Sequence, residues 1–275
     1  MARSRDAQRV AVLALLGGAV VYASSEARAR VARLPEFRIR HGAVGASAPP
    51  PGLSPAVLED VRRLPLPREA NAYDRRLIPF AAALLRELEW VADVRRVELV
   101  HPASLRFSLT PRRPLGRVVE GGRQCVLTDD GALISARYAA DPERLPEVTG
   151  LPSPARPLAR QRALAAAIDV LEDVAGLRAR VLAVDLGALE GDPRRSAIRL
   201  RLEGDVDVAW GRPDTDERPH LPGESKRAAL EEFLEQGPPL SSVATVSLRW
   251  DETVYVLRTP DARRGIDEHQ LRGIR

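Results

Sequence analysis

Histidine and cysteine are scarce in this chain, and their scarcity removes most routes to metal or covalent chemistry. There is one cysteine, Cys125, in 275 residues, which excludes an intrachain disulfide framework and any CxxC or multi-cysteine zinc site. The four histidines are His41, His101, His220 and His269. No two of them lie four residues apart, so no HExxH-type metal helix can be drawn. The GxSxG elbow, the P-loop and the GxGxxG turn are all absent. Aromatic residues make up only 4%, so the cores have to be built from Leu, Val and Ala. A long run of one charge is missing too. The 42 basic residues stand among 38 acidic ones, and a mixed, solvated surface offers little to drive counterion release from nucleic acid. A charged fraction of 29% excludes a multi-pass membrane protein.

The polar residues that could suggest chemistry each have a plainer reading. Asp129-Asp130 precedes Gly131, and Asp-Gly is a strong turn former in which Asp129 bonds its own backbone. Cys125 lies in an alternating strand and reads as a small buried side chain. Arg112 and Arg113 are adjacent, so in a strand they face opposite ways and suit salt bridges better than a phosphate clamp. His101 precedes a proline, and His220 and His269 lie in polar segments. No catalytic residue, metal or cofactor is expected, and the chain reads as a non-enzyme.

The N-terminus carries Arg3, Arg5 and Arg9, followed by the uncharged run Val10 to Ala23 (VAVLALLGGAVVYA) and Ser24-Ser25. Basic residues before an apolar run mark an export signal or a signal anchor. A helix of that length at ~1.5 Å per residue falls short of a ~30 Å hydrocarbon core. The reading adopted is a short uncleaved anchor over residues 10–25, with a cleaved signal ending near Ser25 or a buried helix as alternatives.

Beyond the anchor, Phe37–Arg40 alternates as a short strand, and Pro49-Pro50-Pro51 is loop. Ser54-Pro55 opens a helix through Val57, Leu58, Val61 and Leu64. Leu77, Phe80, Ala81, Leu84, Leu85 and Leu88 share one face of a second helix. Val94, Val97 and Leu99, then Leu105, Phe107 and Leu109, follow as strands. The next stretch is richer in strands. Arg117–Glu120 and Arg123–Leu127 flank a Gly-Gly turn. A helix presents Leu164, Ala167, Ile168, Leu171 and Ala175, with Gly176 as its stop. Val181–Leu186 is a candidate strand, and Ile198–Leu202 with Val206–Trp210 forms the clearest hairpin. A short helix (Ala229, Leu230, Phe233, Leu234) precedes two final strands, Ala244–Trp250 and Glu252–Arg258. Residues 259–275 have no apolar period and read as a disordered tail.

In order, these pieces resemble FtsQ/DivIB, the bacterial cell-division protein family, over most of the chain. Trp90-Val91 with Val94, Val97, His101-Pro102, Leu105, Phe107 and Leu109 is similar to the family's "PWV..V.V.R.WP..L.I.V" stretch. Arg112-Arg113-Pro114 is similar to "ER.P", VLTDDGAL (residues 126–133) to "LID..G", and LPEVTG (residues 145–150) to "LP.L.G". Leu202-Glu203-Gly204 through Trp210-Gly211, then Lys226 and Leu230, resembles "L..G..V.LG…KL..L". Leu248-Arg249-Trp250-Asp251 resembles "DLRY". The sequence departs from the pattern where Pro111 replaces the Glu of "ER.P" and Thr128 replaces the usual Asp. It also departs at Gly-Ala-Val-Gly (residues 42–45), which stands in place of an apolar pair.

The resemblance implies an α+β protein with a basic tail (1–9), a single transmembrane anchor (10–25) and a stalk (26–33). A small β-α-α-β-β POTRA domain (34–114), a mixed β-sheet domain with flanking helices (115–258) and the tail (259–275) would follow. It implies a bitopic inner-membrane protein with its bulk outside the cytoplasm, recruiting division proteins such as FtsB/FtsL-like coiled-coil partners. The alternatives are a POTRA-bearing transport or secretion accessory and an exported hydrolase. In the family the partner adds a strand to the last strand's edge. Here that edge is Thr253, Val254, Tyr255, Val256, Leu257 and Arg258, flanked by Arg249, Trp250 and Asp251. Tyr255 and Trp250 would serve as aromatic anchors. On this reading Tyr255→Asp weakens partner binding while the domain stays folded.

Overall fold

A computed structural model describes residues 17–27, 30, 34, 39, 48–67, 74–100, 104–189, 198–214, 216, 219–249, 253–258 and 272–273. The chain divides into two compact units, one closing at Pro111 and the other running from Arg112, with Pro50–Ser54 belonging to the second.

The expected transmembrane helix is corrected by the structure. Among the described residues, no helix is long and apolar enough to cross a membrane. Residues 17–27 are helical, but eleven residues span only about 16 Å of a hydrocarbon core ~30 Å thick. Gly17-Gly18, Ser24-Ser25 and Glu26 further dilute the apolar character of that segment. Residues 10–16 of the expected span lie outside the described residues.

In the first unit, helices α1 (Ala56–Arg62) and α2 (Leu77–Arg86) precede an antiparallel hairpin of β1 (Val91–Val100) and β2 (Ser104–Pro111). Leu77 and Ala81 of α2 form a core with Leu105 and Ile39, and Leu66, Val97, Leu99 and Phe107 pack against it. Ile39 is the one described residue of the expected first strand, Phe37–Arg40. The buried stripe of α2 is Leu77, Ala81 and Leu85, spaced i, i+4, i+8. Phe80, assigned to that stripe from the sequence, is 42% exposed and lies outside it.

The second unit is a single mixed sheet in the order β12-β11-β10-β9-β8-β7-β6-β3-β4-β5. Its strands are β3 (Pro114–Glu120), β4 (Arg123–Thr128), β5 (Leu133–Ser135), β6 (Glu147–Thr149), β7 (Val181–Asp185), β8 (Ile198–Leu202), β9 (Val206–Gly211), β10 (Val243–Ser247), β11 (Val254–Leu257) and β12 (Arg272–Gly273). Two parallel crossovers carry helices. Helix α3 (Pro157–Asp173) links β6 to β7, and α4 (Gly223–Gln236) links β9 to β10. The two helices touch each other and supply Ala163, Ala166, Ala167, Val170, Leu171, Leu230 and Phe233 to one core. The β3–β4 hairpin turns on Gly121 and Gly122, with φ of 55° and 77°. A two-residue turn that matches strand twist needs positive φ at both positions, which Gly adopts without steric penalty.

The alternation along the sheet separates two faces. Tyr255, Val246, Val208, Leu200, Val184, Val148 and Val118 stand in register across seven strands. All of them except Tyr255 are almost wholly buried under the helices. The neighbouring rows point the other way and are polar toward the sheet's middle. One runs Val256, Thr245, Asp207, Arg201 and the other Val254, Ser247, Ala209, Arg199.

Candidate partner-binding edge

Strand β11 owes its position to its neighbours more than to its own length. It pairs antiparallel with β10, matching Ser247 to Val254, Val246 to Tyr255 and Thr245 to Val256, with a bulge before Val243 and Leu257. The Tyr255 ring ends the buried row and lies 5.6 Å from the Phe233 ring of α4, tilted by 49°. Val254 and Val256 sit on the open face, half-buried, and Leu257 is 44% exposed.

Arg258 closes the strand. Its Nε donates to the Val243 carbonyl at 2.9 Å, and a terminal guanidinium nitrogen donates to the Gly204 carbonyl at 2.8 Å. The same nitrogen also reaches the Asp205 carbonyl, and the Arg258 backbone N–H donates to Ser242 at 2.8 Å. One side chain thus ties the end of β11 to β10 and to the β8–β9 turn, where Asp205 holds φ at 61°. The sequence marked Arg258 as a partner contact. In the structure its side chain also holds the edge strand in the sheet.

Of the other residues singled out, Thr253 is half-buried just before β11, and Arg249 follows β10 beside Gly211. Trp250 and Asp251 lie outside the described residues. What the sequence did not show is the pairing of β12. Val254 stands opposite Gly273 and Tyr255 opposite Arg272, antiparallel, on the outer side of β11. Two residues with no apolar alternation carry no strand signal, so only the three-dimensional register reveals them.

A charged cluster is built around α4. Lys226 on α4 is 1% exposed, with its Nζ 5.6 Å from the Trp210 ring and donating to the Arg212 carbonyl at 2.6 Å. Burial lowers the Lys226 ammonium's pKa, and the nearby carboxylates of Asp214 and Asp173 act against that. Burial also raises Asp169 and Asp173, with the Asp214 charge adding to both. Asp214 accepts the Gly223 N–H at 2.8 and 3.0 Å, so its charge sits at the start of α4, where helix N–H groups lack intrahelical partners. The Lys226 hydrogen bond ties α4 to the chain just beyond β9.

The other polar residues singled out from the sequence lie in hydrogen bonds and ion pairs. Asp130 accepts the Thr128 hydroxyl at 2.7 Å within the turn, and Asp129 accepts the Arg113 N–H at 3.0 Å. Arg112 pairs with Asp130, and Arg113 with Asp129 and Glu172. His220 lies 3.5 Å from Asp214. Among the described residues, no group of three or more His, Cys, Asp and Glu side chains could hold a metal ion.

No protein-family model matches the chain, and no curated protein matches it. The functional reading therefore rests on the residues and the geometry of the edge.

Proposed function

We propose that this chain is a cell-division scaffold of the kind its sequence resembles, FtsQ/DivIB, binding a partner by strand addition at the outer edge of β11. The observation that carries the reading is the position of β11. It is the outermost strand of more than two residues on its side of the sheet, and its outward edge pairs only with Arg272–Gly273 among the described residues. Unpaired backbone groups on such an edge are a template for another strand, and ladder hydrogen bonds supply affinity while alternate side chains set specificity. A partner residue opposite Tyr255 would extend the buried row and should be apolar. Residues opposite Val254 and Val256 would lie on the open face. On this proposal the partners are FtsB/FtsL-like coiled-coil division proteins, and both units act outside the cytoplasm. The first unit serves as a second docking module of POTRA type, and no catalysis is required of the chain.

A proline scan through β11 tests the reading. Successive residues of an antiparallel strand send their N–H groups to opposite neighbours, and proline has none to donate. Prolines at Val254 and Val256 fall in one phase, and proline at Leu257, the exposed end of the strand, falls in the other without removing the Tyr255 ring from the core. The phase facing β10 is expected to destabilise the second unit. The phase facing outward is expected to leave its thermal transition within a few degrees and to abolish capture of coiled-coil division proteins by the full-length chain. Undiminished capture by every folded proline variant would refute strand addition.

A further inference from the structure

The outer edge of β11 is not bare. Arg272 and Gly273 pair with Tyr255 and Val254, on the same side from which a partner strand would have to approach. We propose that residues 272–273 form a placeholder strand of the chain's own, which masks the β11 edge and must be displaced before a partner strand can pair there. The masking is a property of this chain alone, and its regulatory consequence rests on the strand-addition reading.

Three features make the placeholder weak enough to be displaced. It is two residues long, so it closes a small part of a ladder that four β11 residues can offer. The register sets a charged residue, Arg272, opposite Tyr255, at the position where the buried row would continue. An apolar residue gains more there, because burial of a side chain beside that row removes apolar surface from water. The second position is Gly273, the residue least favoured in a strand because it loses the most freedom and packs nothing.

The placeholder nevertheless has an advantage that no free partner has. It is tethered to Arg258 through residues 259–271, and a short tether gives an effective concentration on the order of millimolar. A weak contact at that concentration fills the edge for much of the time. An incoming strand then binds with an affinity reduced by the fraction of edges left open. An edge open about one-fifth of the time costs a partner about fivefold in affinity. It also protects the chain from edge-to-edge pairing with other copies, the usual hazard of an exposed edge.

Backbone hydrogen exchange of the full chain and of a version ending at Thr259 tests this without any partner. The shorter chain keeps β11 and the Arg258 clamp. A second variant, Gly273→Pro in the full chain, cannot lengthen or donate to the ladder at that position. The β11 amides are expected to exchange about fivefold faster in both variants, with β8 and β9 unchanged. Capture of coiled-coil division proteins is expected to rise by a similar factor. Equal β11 exchange in all three proteins overturns the placeholder, whatever the partner does. Faster exchange with no capture by any version leaves the placeholder standing and removes the strand-addition reading instead.

Discussion

Tyr255→Asp is expected to lower the thermal transition of the second unit by roughly 5–10 °C, which corresponds to about 2–3 kcal/mol for a unit of this size. The sequence suggests this substitution as a clean test of partner binding, and the structure shows why it is not one. Tyr255 ends the buried row formed by Val246, Val208 and Leu200 and packs on Phe233. An aspartate there loses the aromatic contact and sets a charge at the border of an apolar core, where desolvation penalises the ionised form. Tyr255→Phe keeps the ring and is expected to stay within about 1 kcal/mol of the parent. Thermal unfolding followed by circular dichroism separates the two. A Tyr255→Asp protein as stable as its parent would mean that the ring does not belong to the core. Partner binding is better probed at Val254 and Val256, whose side chains lie on the open face.

Lys226→Ala is expected to cost about 3 kcal/mol, from the lost charged hydrogen bond to the Arg212 carbonyl and from the cavity left by the buried stem. It also leaves Asp214 and Asp173, both near Lys226 in the structure, without their cation. Lys226→Met restores most of the packing and should recover at least half of the loss. The pH dependence has a definite sign. Burial lowers the Lys226 pKa, so the folded chain holds that proton less tightly than the unfolded chain does. The cost of the buried ammonium is complete below the folded value and fades as pH rises toward the unfolded value near 10.4. Between pH 7 and pH 10 the stability difference between parent and Lys226→Met should therefore shift in favour of lysine. A shift the other way would show that the Asp214 and Asp173 charges outweigh burial. Unfolding curves at the two pH values decide it.

How far the fold could be read from the sequence follows from how local each signal is. The β3–β4 and β8–β9 hairpins were legible because their turns sit between alternating strands a few residues apart, with Gly121-Gly122 and Gly204-Asp205 fixing the reversal. Strand β6 was not. It has three residues with one buried side chain, Val148, and it is held by parallel pairing to β3 and β7, about thirty residues away on either side. Such pairing leaves no periodic trace. The α3 face buries Ala167 and Leu171 as the sequence suggests, with Leu164 and Ile168 packed at the core's border, and it also buries Ala163, Ala166 and Val170, which the sequence does not single out. In an alanine-rich helix the apolar contrast that marks a face is small. The apolar N-terminal run suggests an anchor, and the structure corrects that expectation, since no helix among the described residues is long and apolar enough to cross a membrane. At the candidate site, the edge and its apolar residues were legible. The Arg258 clamp and the pairing of Arg272–Gly273 were not, because both depend on backbone carbonyls and registers that only the folded sheet brings together.

The central claim is that a partner strand lies against the outer edge of β11. A photo-activated cross-linking residue placed at Val256 in the full-length protein, inside the cell, tests it most directly, with Arg199 in the middle of the same open face as the comparison. A cross-link from position 256 to a coiled-coil division protein is expected, stronger when residues 260–275 are removed, and none from position 199. Cross-links from position 199 with none from 256 would contradict it, because the partner would then lie across the open face instead of along the edge.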